Sequence, residues 1–177
     1  FLDWVEAAAE RPVHAYLVVG PAATAASAAR VLAARLIDAD DRALALVEVG
    51  HHADVVEFSP EAASYKVDYV RHRINYEAIR APVESDRKVL IVHEAERMCI
   101  IANAANALLK TLEEPPPRTV LVLVSSAPND LLPTIVSRCS RIDLVHIDDE
   151  LIAEYLATRG VADTASARRS ARLSGGQ

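Results

Sequence analysis

Short runs of apolar, largely β-branched residues alternate with longer amphipathic stretches over most of the chain. The apolar runs, each bounded by polar or turn residues, occupy residues 15–19, 55–58, 89–92, 120–124 and 142–145. Runs of this kind without polar alternation are typical of strands covered on both faces. The stretches with helical character between them are residues 22–36, 68–80, 103–112 and 131–136. This alternation predicts βαβ units, and so an α/β fold in which a largely parallel sheet is flanked by helices.

The strand pattern stops after the last apolar run. Two helix-like stretches follow, at residues 148–158 and 164–173, joined around Gly160. We therefore predict two domains: an α/β core over residues 1–146 and a small all-helical domain over residues 147–177.

The composition excludes several classes of protein. The chain has 177 residues, 51% of them hydrophobic, which is enough to bury a core and excludes a disordered chain. A net charge of −6 argues against a surface that binds nucleic acid throughout, because phosphate contacts need clustered Lys and Arg. Two cysteines are too few for a disulfide scaffold, and no apolar run approaches the ~18 residues of a membrane span. We therefore expect a cytoplasmic protein with no membrane partner.

The residues after the first predicted strand match the ends of a phosphate-binding loop but not its chemistry. The P-loop pattern, G-x-x-x-x-G-K-[ST], lies between a strand and a helix. Gly20 and Ser27 occupy its first and last positions, whereas Ala25 and Ala26 replace the second glycine and the lysine. Alanine offers neither the charge nor the donor with which the lysine reaches the phosphates, and it disfavours the positive φ that glycine allows. We therefore predict a nucleotide site that is empty or very weak.

The third apolar run also departs from nucleotide chemistry. A strand ending in acidic residues is the layout of a Walker B segment, in which an aspartate helps to hold Mg²⁺. Here His93 takes the first of these positions and Glu94 the second. Because Mg²⁺ strongly prefers oxygen ligands, an imidazole is a poor substitute, and no metal is expected. The alternative is an ordinary buried strand followed by a surface glutamate.

Two later segments carry a specific resemblance. Residues 104–116 read AANALLKTLEEPP, and residues 131–139 read LLPTIVSRC. In this order, and downstream of the altered P-loop, they resemble the signature helix and the Ser-Arg-Cys motif of bacterial clamp-loader AAA+ subunits. The resemblance covers nearly the whole chain and implies the AAA+ P-loop-type fold, with residues 147–177 as its helical lid domain. Family members continue into a helical collar domain, so we expect this chain to be a truncated form.

The resemblance implies a role for the Ser-Arg-Cys motif. Some subunits of this family hydrolyse ATP and others do not, and the altered P-loop makes this chain similar to the second kind. Arg138 would then be an arginine finger acting in trans on a neighbouring subunit's ATP, with Ser137 and Cys139 as the supporting motif. A planar, permanently charged guanidinium suits the charge that develops on a transferred phosphoryl group. The alternative for Arg138 is a structural salt bridge with Asp143 or a helix end.

Two further features are compared with the pattern of the same family. Members usually carry a four-cysteine zinc module before the second strand, whereas residues 38–52 contain no cysteine. The pair His51 and His52 is weak evidence for zinc, so we predict no zinc and expect both to be exposed loop residues. Ser125 and Ser126 follow the fourth predicted strand, near the position at which family members sense the γ-phosphate. With the P-loop altered, we do not expect them to contact nucleotide.

The resemblance also implies partners and leaves other functions open. The partners are the gamma/tau motor subunits, which bind the ATP, the delta subunit, and, through the loader, the sliding clamp and primed DNA. This chain would have no cofactor and no intrinsic ATPase activity. The basic clusters at residues 71–73 and at Arg168, Arg169 and Arg172 either contact DNA phosphates or form solvated helix faces. The alternatives are an ATP-hydrolysing motor subunit with an unusual P-loop, and a phosphate- or nucleotide-binding regulator unrelated to replication.

Overall fold

Five parallel strands form one sheet in the described part of the chain. The computed structural model describes residues 2–100 and 102–144. The strands are β1 (Ala15–Val19), β2 (Val55–Phe58), β3 (Lys88–Val92), β4 (Thr119–Ser125) and β5 (Ser140–Asp143). Their order across the sheet is β2-β3-β4-β1-β5, and every neighbouring pair is parallel. The predicted parallel sheet is therefore confirmed, and the carboxyl ends of all five strands lie at one edge.

Strand β1 lies between two strands that come late in the sequence. Leu17 of β1 is opposite Leu123 of β4 on one side and Arg141 of β5 on the other. The chain leaves β1 toward one edge of the sheet, returns through β3 and β4, and then crosses β1 to reach β5. Connections that depart in opposite directions create a topological switch point. In open α/β sheets ligands usually bind there, outside the carboxyl ends of the strands.

Helices cover both faces of the sheet. They are α1 (Leu2–Glu10), α2 (Ala22–Leu36), α3 (Asp41–Glu48), α4 (Val67–Tyr69), α5 (Asn75–Ala78), α6 (Ala102–Glu113) and α7 (Pro133–Val136). A π-helical turn at Val70–Ile74 joins α4 to α5. Short 3₁₀ turns lie at Ala95–Met98 and Pro128–Asp130.

Helices α6 and α2 pack on opposite faces. Leu90 of β3 and Leu121 of β4 share one buried cluster with Leu108 of α6. Helix α2 contacts β1, β3 and β4, and it buries a row of alanines that includes Ala25 and Ala29. Small side chains let a helix approach a sheet closely at full packing density. The alanine-rich sequence of α2 is therefore explained by packing.

Two helices are absent from the sequence prediction. Helices α1 and α3 have nine and eight residues, too few for a periodic apolar stripe to be distinctive. In α3 the pattern is also broken by Leu44, which is half-exposed. The helix is held at its start by Asp40, whose carboxylate accepts a hydrogen bond of 2.7 Å from the N–H of Ala43. This is a standard N-cap, and it orders a segment that reads as a loop.

Several predicted boundaries also need correction. The helix expected at 68–80 is interrupted by the π-helical turn, which directs Val70 and Ile74 into the core. The helix expected at 131–136 begins at Pro133, because Leu132 is extended and proline suits the first helical position. Strand β5 begins at Ser140, which pairs with Tyr16, and ends at Asp143 rather than at residue 145, which lies outside the described residues.

The expected exposure of the two histidines is wrong for one of them. His51 is exposed, but His52 is buried, and its Nδ1 accepts a hydrogen bond of 3.0 Å from the N–H of Asp54. The Asp54 carboxylate is itself buried and accepts three backbone N–H bonds from residues 83–85. Burial raises the pKa of Asp54, but these bonds outweigh that effect and lower it. His52 therefore belongs to an anchor at the amino end of β2.

The helical domain predicted at residues 147–177, with Arg168, Arg169 and Arg172, lies outside the described residues. The other basic cluster, residues 71–73, is exposed on the π-helical turn. Within residues 2–100 and 102–144, no helix is long and apolar enough to cross a membrane.

Candidate functional site

A cavity of about 390 Å³ opens at the carboxyl edge of the sheet, beside the switch point. It lies at the amino end of α2, where the backbone N–H groups of a first helical turn have no partner within the helix. Its lining residues are Ala22, Ala23, Ala26 and Arg30 of α2, together with Glu57, Ser59, His93, Glu94, Val124 and Ser126 from the ends of β2, β3 and β4. The cavity thus brings together one altered P-loop position and both Walker B positions.

The segment Gly20 to Ser27 is mostly helix. Only Gly20 and Pro21 separate β1 from α2, which begins at Ala22. The N–H of Ala25 donates to the carbonyl oxygen of Pro21 at 2.8 Å, and the Ala25 side chain is fully buried. Residues 20–27 contain no positive φ. A P-loop turns several consecutive N–H groups toward phosphate, whereas here the N–H of Ala25 is used inside the helix.

An ion network occupies one wall of the cavity. Glu57 of β2 accepts two hydrogen bonds from Arg30 of α2, from Nε at 2.7 Å and from Nη2 at 2.9 Å. Its Oε2 is also 2.6 Å from Nε2 of His93. We call these three side chains the Glu57 network. Burial raises the pKa of Glu57, but the bonds from His93 and Arg30 outweigh it and hold the pKa at about 2. The carboxylate is therefore ionised and its strongest acceptor positions are already taken.

The two Walker B positions differ in their surroundings. His93 has its Nε2 committed to Glu57. Glu94 has a left-handed backbone, with φ 48°, and pairs with Arg97 at 2.7 Å. His93 therefore offers no carboxylate at the cavity, and the carboxylate of Glu94 is already paired. Among the described residues, no group of three or more His, Cys, Asp or Glu side chains is arranged to hold a metal ion.

Tyr65 ties the ends of β2 and β3 together behind the Glu57 network. Its hydroxyl lies 3.0 Å from the carbonyl oxygen of Phe58 and 2.6 Å from that of His93. The side chain is almost completely buried, and burial raises the pKa of its hydroxyl. The neutral phenol therefore fixes the backbone from which His93 projects.

Replacing Tyr65 with phenylalanine is expected to lower the free energy of unfolding by about 1–2 kcal/mol, because two buried carbonyl groups lose their shared donor. Urea denaturation followed by circular dichroism measures the loss. Tyr76→Phe is the matched control, since the Tyr76 side chain is exposed, and it should change stability by less than about 0.5 kcal/mol. Equal stability of the two variants would contradict the anchoring role.

The two serines after β4 take different positions. Ser125 is buried; its Oγ accepts a hydrogen bond from the N–H of Ala127, and its carbonyl oxygen accepts one from the N–H of Gly20. Ser126 lines the cavity, and its Oγ donates to Glu96 at 3.1 Å. Of the two, only Ser126 is placed to face a ligand in the cavity.

The Ser-Arg-Cys segment follows α7. The guanidinium of Arg138 donates through Nη1 to the carbonyl oxygen of Thr134 and through Nη2 to Glu113, each at 2.8 Å. Ser137 also donates to the Thr134 carbonyl oxygen, at 3.2 Å. Cys139 packs against the core, and burial raises the pKa of its thiol to about 12, so it is an inert, protonated side chain.

The helix-end alternative for Arg138 matches this geometry better than the Asp143 alternative. Glu113 is the last residue of α6, whereas Asp143 pairs with Arg141 at 2.7 Å. The pair of Arg138 and Glu113 remains substantially exposed on both sides. An exposed ion pair of this kind contributes about 0–1 kcal/mol to stability, so the pair adds little to the fold.

The sequence did not identify Arg30 and Glu57 at the cavity, Tyr65 behind them, or Glu113 as the partner of Arg138. Glu57 is the only charged residue in the apolar run of β2, and that exception was the available signal. Arg30 lies one turn beyond Ala26 on α2, on the side that faces the cavity. Glu113 ends the signature helix and has no local feature that marks it as a partner of Arg138.

A family model described as "DNA polymerase III, delta subunit" matches residues 5–148. The DNA polymerase III subunit delta' of Pseudomonas aeruginosa is 41% identical over 138 residues, covering 71% of this chain and 41% of that protein. The subunit tau of Bacillus subtilis is 33% identical over 149 residues, covering 78% of this chain and 26% of that protein. The chain therefore spans less than half the length of these curated relatives.

A solved structure supports the same fold. The DNA polymerase III gamma subunit-related protein of Thermotoga maritima superposes with a TM-score of 0.69 at 28% identity. The superposition covers 95% of this chain and 57% of that one.

Proposed function

The chain belongs to the family described as DNA polymerase III, delta subunit, and from this premise we propose that it acts as a non-hydrolysing, delta-prime-type subunit of a bacterial clamp loader. In this role it completes an AAA+ assembly that opens a sliding clamp and places it on primed DNA. The subunit turns over no ATP itself. Instead it offers Arg138 to the ATP of a neighbouring motor subunit.

The Glu57 network is the observation that carries the non-hydrolysing role. In a working site Mg²⁺ bridges the nucleotide phosphates and needs free oxygen ligands at the end of β3. Here that position holds an imidazole bonded to Oε2 of Glu57, and Arg30 donates to both oxygens of the same carboxylate. An Mg²⁺ ion would have to break these bonds to gain one carboxylate. The absence of a lysine at Ala26 removes the second source of phosphate affinity.

The trans role rests on the exposure and chemistry of Arg138. Its side chain is partly exposed, and it lies at the start of the turn that leads into β5, outside the cavity of its own chain. An arginine supplied in trans neutralises charge on a transferred γ-phosphoryl group. A residue whose ion pair adds little stability, and which can make five directed N–H bonds, suits that purpose.

The remaining parts of the proposal follow from the family. The neighbours are gamma/tau-type motor subunits and a delta subunit, and the sliding clamp and primed DNA are reached through the assembly. The working compartment is the cytoplasm, where replication takes place.

Titration with a fluorescent ATP analogue in the presence of Mg²⁺ tests the non-hydrolysing role. We expect no saturation below about 1 mM. No lysine is available to bind the phosphates, and no unpaired ligand is available to hold the Mg²⁺ that would bridge them. A gamma/tau-type motor subunit from the same organism, measured in the same buffer, is the positive control. Micromolar binding with ATP turnover would contradict the proposal and favour a motor subunit. The similarity to a tau subunit makes this the alternative to test.

Co-purification separates the proposal from a function outside replication. The tagged full-length protein should retain the motor subunits of the same organism through gel filtration. Reproducible failure of the two to associate would favour a phosphate- or nucleotide-binding regulator instead.

A further inference from the structure

The guanidinium of Arg138 is held by a carboxylate outside its own motif. Nη2 donates to Oε1 of Glu113 at 2.8 Å, while Nη1 donates to the carbonyl oxygen of Thr134. Glu113 ends α6, and Thr134 lies in α7, so the two acceptors come from separate helices. Together they direct the fork of Arg138 back toward its own chain.

This arrangement conflicts with the proposed role of Arg138. An arginine finger offers its positive charge and its paired N–H groups to a γ-phosphate. A carboxylate bonded to the same N–H group neutralises that charge and would itself repel the phosphate. Glu113 and the phosphate of a neighbouring subunit are therefore competitors for one side of the guanidinium.

We propose that Glu113 is a positioning residue that holds Arg138 in a retracted state, from which it must be released to serve the neighbouring subunit's ATP. The inference rests on the proposed function of Arg138 and adds a way in which that function is regulated. Release is inexpensive because the pair is substantially exposed: 33% of the Arg138 side chain and 51% of the Glu113 side chain are accessible. The contact therefore lowers the fraction of Arg138 that is free to reach the phosphate, but it does not prevent release.

The residue next to Glu113 offers a matched control. Glu114 carries the same charge, ends the same helical turn through a hydrogen bond from its N–H to Lys110, and lines a different groove, with Lys110 and Pro116. Neutralising Glu114 changes the net charge of the chain as much as neutralising Glu113 does. Any difference between the two variants therefore reports on the contact with Arg138.

The test compares Glu113→Gln and Glu114→Gln in the full-length protein reconstituted with gamma/tau-type motor subunits. Glu113→Gln is expected to raise the steady-state ATPase rate measured without primed DNA by about two- to fivefold, the factor that corresponds to a partly exposed ion pair. Glu114→Gln should leave the rate at the wild-type value. A rate that is unchanged or lowered by Glu113→Gln, or equally raised by Glu114→Gln, would overturn the retraction role.

Combination with Arg138→Ala separates this inference from the proposed function. If Glu113 acts only through the arginine, Glu113→Gln changes nothing once Arg138 is replaced, whereas a merely structural effect persists in the double variant and overturns the inference. If Arg138→Ala alone lowers the rate but Glu113→Gln has no effect, only the retraction role fails. If Arg138→Ala has no effect, the proposed function fails and this inference fails with it.

Discussion

Replacing Arg138 with alanine is expected to nearly abolish ATP hydrolysis at the neighbouring subunit's site that Arg138 reaches in an assembled loader. Arginine fingers contribute about 10³–10⁵-fold to turnover at the site they reach. The DNA-stimulated ATPase rate of the loader should therefore lose all of the contribution that this one site makes to the total. The fold should not change, because the side chain is partly exposed and its ion pair with Glu113 contributes at most about 1 kcal/mol. The measurement is steady-state ATPase of the reconstituted loader, with and without primed DNA.

Two further variants separate charge from shape. Arg138→Lys keeps the positive charge but loses the planar fork, so it should recover only a small part of the rate. Arg141→Ala removes a nearby arginine that is likewise exposed and paired with a carboxylate, Asp143, and it should leave the rate unchanged. If the loader with Arg138→Ala assembles normally and turns over ATP at the wild-type rate, the arginine-finger assignment is wrong.

The sheet was predictable because its signal is local. Strands covered on both faces read as continuous apolar runs, and β1 and β2 have the bounds that such runs predict. Strand β3 extends the predicted run by one residue, to Lys88, and β4 extends it by one residue at each end, to Thr119 and Ser125; all three are buried although polar. Lys88 is buried because its Nζ pairs with Glu77 at 2.6 Å, a partner eleven residues earlier that no strand pattern reveals.

The candidate site was predictable only in part, because its contacts are long-range. Spacing along the chain identified the positions of Ala26 and His93, and the fold brings both to one cavity. The bonds along one wall of that cavity join residues 27 and 36 positions apart, from Arg30 and His93 to Glu57. His52 differs, because its bond to the N–H of Asp54 is local, and only the bonds from residues 83–85 to the Asp54 carboxylate are long-range.

Replacing Glu57 with glutamine is expected to lower the free energy of unfolding by about 3 kcal/mol at pH 7. A carboxyl with a pKa of about 2 in the folded protein and its ordinary 4.5 in the unfolded chain contributes that amount when it is ionised in both states. The glutamine side chain keeps the volume but loses the charge that binds Arg30 and His93. Glu94→Gln is the control, since its pair with Arg97 is exposed on both sides and should be worth at most about 1 kcal/mol.

The pH dependence of this difference identifies the carboxylate as its source. Because the pKa of Glu57 is lower in the folded state, its contribution is complete above about pH 5 and is lost as the pH falls through 4.5 toward 2. Urea unfolding at pH 7 and pH 3 should therefore give a wild-type protein that loses stability more steeply than Glu57→Gln, with more than half of the difference gone by pH 3. A difference that stays constant with pH would mean that the ionisation of Glu57 is not its source. The ionised Glu57 carboxylate would then not be what holds the His93 imidazole at the position where a working site needs a metal ligand.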